Sequence, residues 1–264
     1  MSRSPIFIGG LMKSGTTLLR VLIGRHPNLY SGMETHWFSD NFRTNWLDSS
    51  SKGQQLFRQL YGVSDDEFER IKQSSTSGVD FFTRLMDFCT QQSGKMRWVE
   101  KSPDNIIFRK DIYNNWPDSR LIHVVRDYRD VYASWKRKGK YNIEQFISKV
   151  NTIAQSNTAL LGTHSEFYLE VDYELLVTDT TSALKAILSH IGEDWVDGLE
   201  SYEGDSSDFN RLYQATGQKS STLESIARPV FTTSIGQWKN ILEIEEVRRI
   251  EGELGDLMKI WKWI

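Results

Sequence analysis

An α/β fold of three layers, a central and mostly parallel sheet flanked by helices, is what this sequence predicts. Three observations carry the prediction. Short apolar runs of strand length, Ile6-Phe7-Ile8 and Leu121-Ile122-His123-Val124-Val125 among them, alternate with stretches whose apolar residues recur at helical spacing. These runs are apolar almost throughout, as strands buried on both faces read, rather than alternating apolar with polar. The first run ends in Gly9-Gly10 and passes through a short loop into a helix pattern, where Leu18, Leu19, Leu22 and Ile23 share one face.

The chain of 264 residues is long enough for a sizeable core, and no repeat, low-complexity tract or Gly/Pro/Ser-rich linker divides it. A single domain, 1–264, is therefore expected. Its 32 basic and 35 acidic residues leave a net charge of −3, which points away from nucleic acid or an acidic membrane as partner. Cys89 is the lone cysteine, so no intrachain disulfide forms. With the first strand beginning at Ile6 and no apolar run of membrane-spanning length, the expectation is a cytoplasmic protein without signal peptide or membrane span.

Taken in order, His26-Pro27-Asn28 turns the chain into a short second strand, Leu29 to Gly32, that leads to Met33-Glu34-Thr35-His36-Trp37-Phe38. From about Asn41 to Gly94 several helices are expected, with polar breaks at Asp48 to Gly53, Ser64 to Asp66 and Ser74 to Gly78. Met96 to Val99 reads as a strand ending in Glu100-Lys101-Ser102-Pro103. Pro103 biases Ser102 away from helix, so Lys101 belongs at a strand-to-helix junction. Arg126-Asp127 opens a helix after the Leu121 strand, with Asp127 and Asp130 suited to its first turn. A helical region from about Asn142 to Leu161 precedes a last parallel strand, Phe167 to Val171, and Thr180 to Ile191 is amphipathic. Residues from Glu203 to Thr222 are polar and read as a long irregular loop, a candidate lid. Leu242 to Ile264 is expected to be helical, burying Ile244, Val247, Ile250, Leu254 and Leu257. In such a parallel sheet ligands bind outside the carboxyl ends of the strands, where all these polar motifs fall.

The loop after the first strand nearly satisfies the nucleotide-triphosphate P-loop pattern, with Gly10, Gly15 and Thr17 in place but Thr16 where the lysine belongs. The lysine has moved to Lys13. Backbone N–H groups of the turn and helix N-terminus still suit an anion, and Ser14, Thr16 and Thr17 supply hydroxyls.

Lys13-Ser14-Gly15-Thr16-Thr17 after an apolar strand resembles the loop that holds the 5′-phosphosulfate of 3′-phosphoadenosine 5′-phosphosulfate (PAPS) in sulfotransferases. Four blocks in the expected order extend the resemblance over most of the chain, and with it comes a P-loop-like fold. Val124 to Asp130, with Ser134 eight residues after Arg126, is similar to the family's 3′-phosphate site, which implies that Arg126 and Ser134 bind that phosphate. Glu34 to Phe38 resembles the glutamate-bearing segments of tyrosylprotein and heparan sulfate sulfotransferases, making Glu34 the implied general base, with Trp37 and Phe38 expected to raise its pKa by excluding water. His36 is the rival base. Glu100-Lys101-Ser102-Pro103 is close to the heparan sulfate branch's E-K-[ST]-P, and implies that Lys101, with Lys13, stabilises the charge on the leaving oxygen. Tyr173, in Val171 to Leu176, is similar to a tyrosine near the adenine. Ser220 to Lys239 resembles the C-terminal cofactor-covering segment, where Gln237 stands in place of the tyrosylprotein enzymes' lysine and leaves Arg228 or Lys239 to substitute.

The implied activity is sulfonate transfer from PAPS to a hydroxyl, less probably an amine, releasing 3′,5′-ADP. The acceptor is a small molecule, lipid, glycan or peptide. No metal is required, since sulfonate carries less charge than a phosphoryl group, and His26, His36, His123, His164 and His190 show no ligand spacing. Two alternatives stand beside this reading. A P-loop kinase of small molecules needs a lysine at position 16, and a catalytically silent nucleotide-binding or scaffolding protein would have no use for Glu34 and Lys101.

Overall fold

A computed structural model describes residues 4–38, 46–48, 50–139, 141–157, 159, 160, 162 and 165–264. The start of the expected helical stretch, Asn41 to Asn45, as well as Leu161 and His164, lies outside the described residues. The elements run β1 (Ile6–Gly10), α1 (Thr16–Gly24), β2 (Leu29–Ser31), α2 (Lys52–Tyr61), α3 (Asp65–Gln73), α4 (Gly78–Gln92) and β3 (Arg97–Lys101). A 3-10 turn, Pro103–Ile106, then leads to α5 (Arg109–Asn115), β4 (Arg120–Val125), α6 (Tyr128–Lys136), α7 (Ile143–Asn157), β5 (Tyr168–Asp172), α8 (Tyr173–Thr178) and α9 (Thr180–Ile191). The last part holds α10 (Ser207–Thr216), α11 (Ser221–Ile226), a 3-10 turn Gln237–Asn240, and α12 (Ile244–Ile260).

Among the described residues the sheet has five strands in the order β2-β3-β1-β4-β5, every neighbouring pair parallel. The predicted parallel sheet with helices on both sides is the observed one. Parallel pairing sets Ile8 opposite Lys101 on one side and Ile122 on the other, so all strands end at one edge.

Alternation along the strands divides the core into two layers. Phe7, Trp98 and Leu121 face one way, where Phe7 meets Trp98 edge-on at 5.4 Å and Trp37 stacks on Phe82 at 4.5 Å. Ile6, Ile8, Val99 and Ile122 face the other way, beneath α1 and α9. The polar breaks expected between helices carry their N-caps: Ser51, Ser64 and Ser77 accept from the amides of Gln54, Glu67 and Asp80.

Three expectations need correction. β3 runs two residues beyond Val99, because the ladder with β1 continues through Glu100 and Lys101. Residues 203–222 are not an irregular loop: they contain α10 and the start of α11. Phe209, Leu212 and Tyr213 share one face of α10 at helical spacing, although no α10 residue is fully buried. Ile244, expected in the buried face of the last helix, is exposed, since it stands at the first position of α12, while Met258 is buried instead.

Candidate active site

The loop between β1 and α1 is closed by the Ser14 amide donating to Leu11 O at 3.0 Å. Two glycines make its shape possible. A Cβ on Gly10 would stand 2.5 Å from Val124 O, and one on Gly15, whose φ is +106°, would stand 2.3 Å from the ring of Tyr173. Gly15 caps α1 without a side chain, so the first N–H groups of the helix point into the loop. Ser14 Oγ is buried there with no hydrogen-bond partner. Lys13 holds a left-handed backbone, φ 76°, and its ammonium donates to the Thr222 hydroxyl at the start of α11.

Arg126, just past β4, ties this loop to its cover. One guanidinium nitrogen donates to Lys13 O at 2.9 Å and another to Ser234 O at 2.7 Å, while the group lies 4.3 Å over the Tyr173 ring. Its Nε is buried and unpartnered. Tyr173 OH and Ser234 Oγ are 2.7 Å apart. Asp130 accepts from the amides of Gly236 and Trp238 at 2.7 and 3.0 Å, and its burial, opposed by those bonds, pushes its carboxyl above the ordinary range. The segment 203–240 thus lies against the loop through contacts from α6, α8 and the loop itself.

Across the same edge Lys101 ends β3 with its side chain under α1. It is 1% exposed, donates to Thr17 Oγ1 at 3.0 Å and forms a close ion pair with Glu34 Oε1. The other Glu34 oxygen lies 3.1 Å from His36 Nε2. Burial alone would raise the Glu34 carboxyl, but the Lys101 ammonium and the hydrogen bonds from His36 and Lys101 outweigh it and hold the group well below the usual carboxylate range. The expectation of a raised pKa is therefore wrong in its net direction: Trp37 and Phe38 pack in the core on Phe82 and Phe108, and the ion pair with Lys101 and the His36 bond decide the sign. Burial in turn lowers Lys101, assisted by the charge of Arg20 and opposed by Glu34.

A model described as the sulfotransferase family matches residues 5–197. The chain belongs to the sulfotransferase family. Protein-tyrosine sulfotransferase of Drosophila melanogaster is 23% identical over 258 residues, covering 92% of this chain and 48% of that one. Protein-tyrosine sulfotransferase 1 of Danio rerio is 21% identical, covering 92% and 68%. The chain spans about half the length of the first curated relatives it matches. Among solved structures, the sulfotransferase domain of the Synechococcus PCC 7002 olefin synthase superposes with a TM-score of 0.71 at 23% identity, covering 99% of this chain and 96% of that one. Mouse sulfotransferase SULT7A1 complexed with PAP superposes at 0.55 with 14% identity, covering 99% and 89%. Both share the fold.

The structure brings together Lys13, Ser14, Gly15, Thr16, Thr17, Glu34, Lys101, Arg126 and Tyr173 at one edge of the sheet. Ser134 is half-buried on α6. Arg228 and Lys239 are exposed; Lys239 lies over its neighbour Trp238, 5.7 Å from the ring centre, and neither makes a side-chain hydrogen bond to the loop among the described residues. Sequence reasoning passed over Lys138, whose ammonium meets the Ser221 hydroxyl beside Thr222. Its position four residues after Ser134, one helical turn, was the available signal. Arg20, one turn after Thr16, is buried between Gly32 O at 2.9 Å and an ion pair with Asp208 of α10, while Glu34 pairs with Lys101. No group of metal-ligating side chains occurs among the described residues, and none of their helices is long and apolar enough to cross a membrane.

Proposed function

We propose that the chain transfers a sulfonate group from PAPS to an acceptor hydroxyl, with Glu34 as general base. The observation that carries this reading is the Glu34–Lys101 ion pair beside Thr17, which sets a carboxylate base and a buried cation at the mouth of the anion loop. The loop fits a phosphosulfate: its glycines admit no Cβ, and the buried Ser14 hydroxyl and Arg126 Nε have hydrogen-bonding capacity no protein group fills. Lys13, Ser14, Thr16, Thr17 and the α1 amides hold the 5′ end. Arg126 and Ser134 hold the 3′-phosphate, with Tyr173 beside the adenine and Arg228 or Lys239 on the cover. PAPS supplies the sulfonate, and the bond that breaks joins sulfur to the bridging oxygen of the 5′-phosphate.

The depressed pKa keeps Glu34 ionised at neutral pH, the form a base requires. It takes the acceptor proton as the new oxygen–sulfur bond forms. Lys101, with Lys13, meets the charge left on the bridging oxygen, without need of Mg²⁺. As Lys101 turns from Glu34 toward that oxygen, the carboxylate loses its strongest counter-charge and becomes more basic.

The acceptor is a hydroxyl of a small molecule, lipid, glycan or peptide. The protein-tyrosine sulfotransferases among the relatives favour including a tyrosine peptide in any screen. Calorimetry against 3′,5′-ADP and ATP-Mg²⁺, followed by PAPS turnover over a panel of such acceptors, tests the reading. Glu34→Ala is expected to bind 3′,5′-ADP normally and to lose transfer; full activity in that variant sinks Glu34 as base, and preference for ATP-Mg²⁺ sinks the donor.

A further inference from the structure

Glu100 has no part in the transfer just described, although it adjoins Lys101. It is 1% exposed, and its carboxylate is held by neutral donors. Oε1 accepts from the hydroxyls of Thr35 at 2.8 Å and Ser102 at 2.7 Å, and from the Thr35 amide at 3.4 Å. Oε2 accepts from Asn105 Nδ2 at 2.5 Å, and the same nitrogen donates to Ile8 O of β1 at 3.0 Å. A buried carboxylate with such ligands is fully satisfied, but apolar residues of equal volume serve stability as well or better. Its presence therefore calls for a reason other than stability.

Strand alternation supplies one. Val99 and Lys101 face the layer of α1, whereas Trp98 and Glu100 face the opposite layer. The Glu34-Thr35 dipeptide straddles this end of β3, so that Glu34 meets Lys101 on one face and Thr35 meets Glu100 on the other. The next amide, that of His36, donates to Ser102 Oγ at 3.0 Å, and the Trp37 amide donates back to Thr35 Oγ1 at 3.1 Å. Besides the ion pair, the hydrogen bonds from Thr35 and His36 to the end of β3 and to Ser102 just after it run to Glu100 or to the Ser102 hydroxyl that Glu100 orients.

We propose that Glu100 is a positioning residue for sulfonate transfer: by gripping Thr35, Ser102 and Asn105 it sets the separation of the base Glu34 from the cation Lys101. The proposal rests on the sulfotransfer reading above. A carboxylate is the group this task needs, since both oxygens must accept. In Glu100→Gln one oxygen becomes an NH₂ that faces either two hydroxyl donors or the Asn105 amide, and Asn105 cannot flip without giving up Ile8 O.

The test compares Glu100→Gln, Thr35→Val and Thr35→Ser with wild type, measuring PAPS turnover, KM for PAPS and 3′,5′-ADP affinity. Thr35→Val keeps the side-chain shape and removes the tether, so it serves even where Glu100→Gln folds poorly. Loss of positioning predicts a kcat lower by about 10- to 100-fold in Glu100→Gln and Thr35→Val, with KM and 3′,5′-ADP affinity within about twofold of wild type. Thr35→Ser, which keeps the hydroxyl, is expected to regain most of the rate. The double variant Glu100→Gln/Thr35→Val should fall no further than the worse single variant, as residues acting through one contact do. Equal kcat in wild type and Thr35→Val, or parallel losses of kcat and 3′,5′-ADP affinity, overturns the proposal and leaves the transfer reading intact. A wild-type chain that never cleaves PAPS overturns the reading itself, and the proposal with it.

Discussion

Removing Glu34 and removing Lys101 both stop transfer in this scheme, but the two variants leave different groups behind. In Glu34→Ala the Lys101 ammonium, 1% exposed, keeps the Thr17 hydroxyl at 3.0 Å as its hydrogen-bond partner among the described residues. Breaking a fully buried pair from one side costs about 3–5 kcal/mol. The Glu34 side chain is 34% exposed, so water already screens part of the attraction and the loss shrinks to roughly 1–3 kcal/mol. For a chain of this length each kcal/mol shifts Tm by about 2–4 °C, which sets the expected fall at roughly 2–12 °C. In Lys101→Met the carboxylate left behind faces water and His36, the buried cation is gone, and the Tm is expected to stay within about 3 °C of wild type or to rise. Both variants lose about 10²-fold or more in turnover. Because the folded pKa of Glu34 is depressed, its stabilisation is present above the ordinary value of 4.5 and disappears as pH falls through the folded value, so the Tm gap between wild type and Glu34→Ala closes on acidification. Thermal melts and PAPS turnover on the two variants decide the matter. A Tm loss in Lys101→Met equal to or larger than that in Glu34→Ala refutes the assignment of the buried charge.

Gly15→Ala introduces a Cβ 2.3 Å from the Tyr173 ring at a backbone angle of +106°. Affinity for 3′,5′-ADP is expected to drop at least about tenfold by calorimetry, and a variant that binds normally shows that the loop is looser than described. Glu174 is raised to about 7, by burial first and by repulsion from Asp172 second, and it stands near Arg126. With a folded pKa above the unfolded one, its contribution to stability is full below about 4.5 and is lost as pH rises through 7. Glu174→Gln should therefore raise Tm at pH 8 more than at pH 5, and a pH-independent effect excludes the assignment. Ser77→Ala removes the cap that accepts from the Asp80 amide, and denaturant unfolding should show a loss of about 1 kcal/mol without change in turnover.

Local signals made much of this molecule legible. β1 and β4 stand out because a strand buried on both faces is apolar over most of its length, and α9 occupies the very residues its periodicity marked. The anion loop is readable for a similar reason, since glycines at Gly10 and Gly15 and hydroxyls at Ser14, Thr16 and Thr17 are contiguous. α10 was missed although Phe209, Leu212 and Tyr213 recur at helical spacing, because that short stripe lies among polar residues and none of it is fully buried. The Glu34 pKa was misjudged for a different reason: Trp37 and Phe38 are neighbours in sequence but turn into the core, while the groups that control the carboxylate come from a strand 67 residues away and from His36.

The sequence by itself determined that a parallel sheet would present an anion loop at its carboxyl edge, and it contained the groups that the proposed sulfonate transfer uses. Only the tertiary structure decided which of them meet. Parallel register sets Ile8 level with Lys101, and alternation along β3 then sends Lys101 toward Glu34 and Glu100 toward Thr35. Composition and spacing along one segment carry the first kind of information. The second depends on how strands far apart in the chain align, and it is settled by the hydrogen-bond ladder and by the requirement that buried charges find partners.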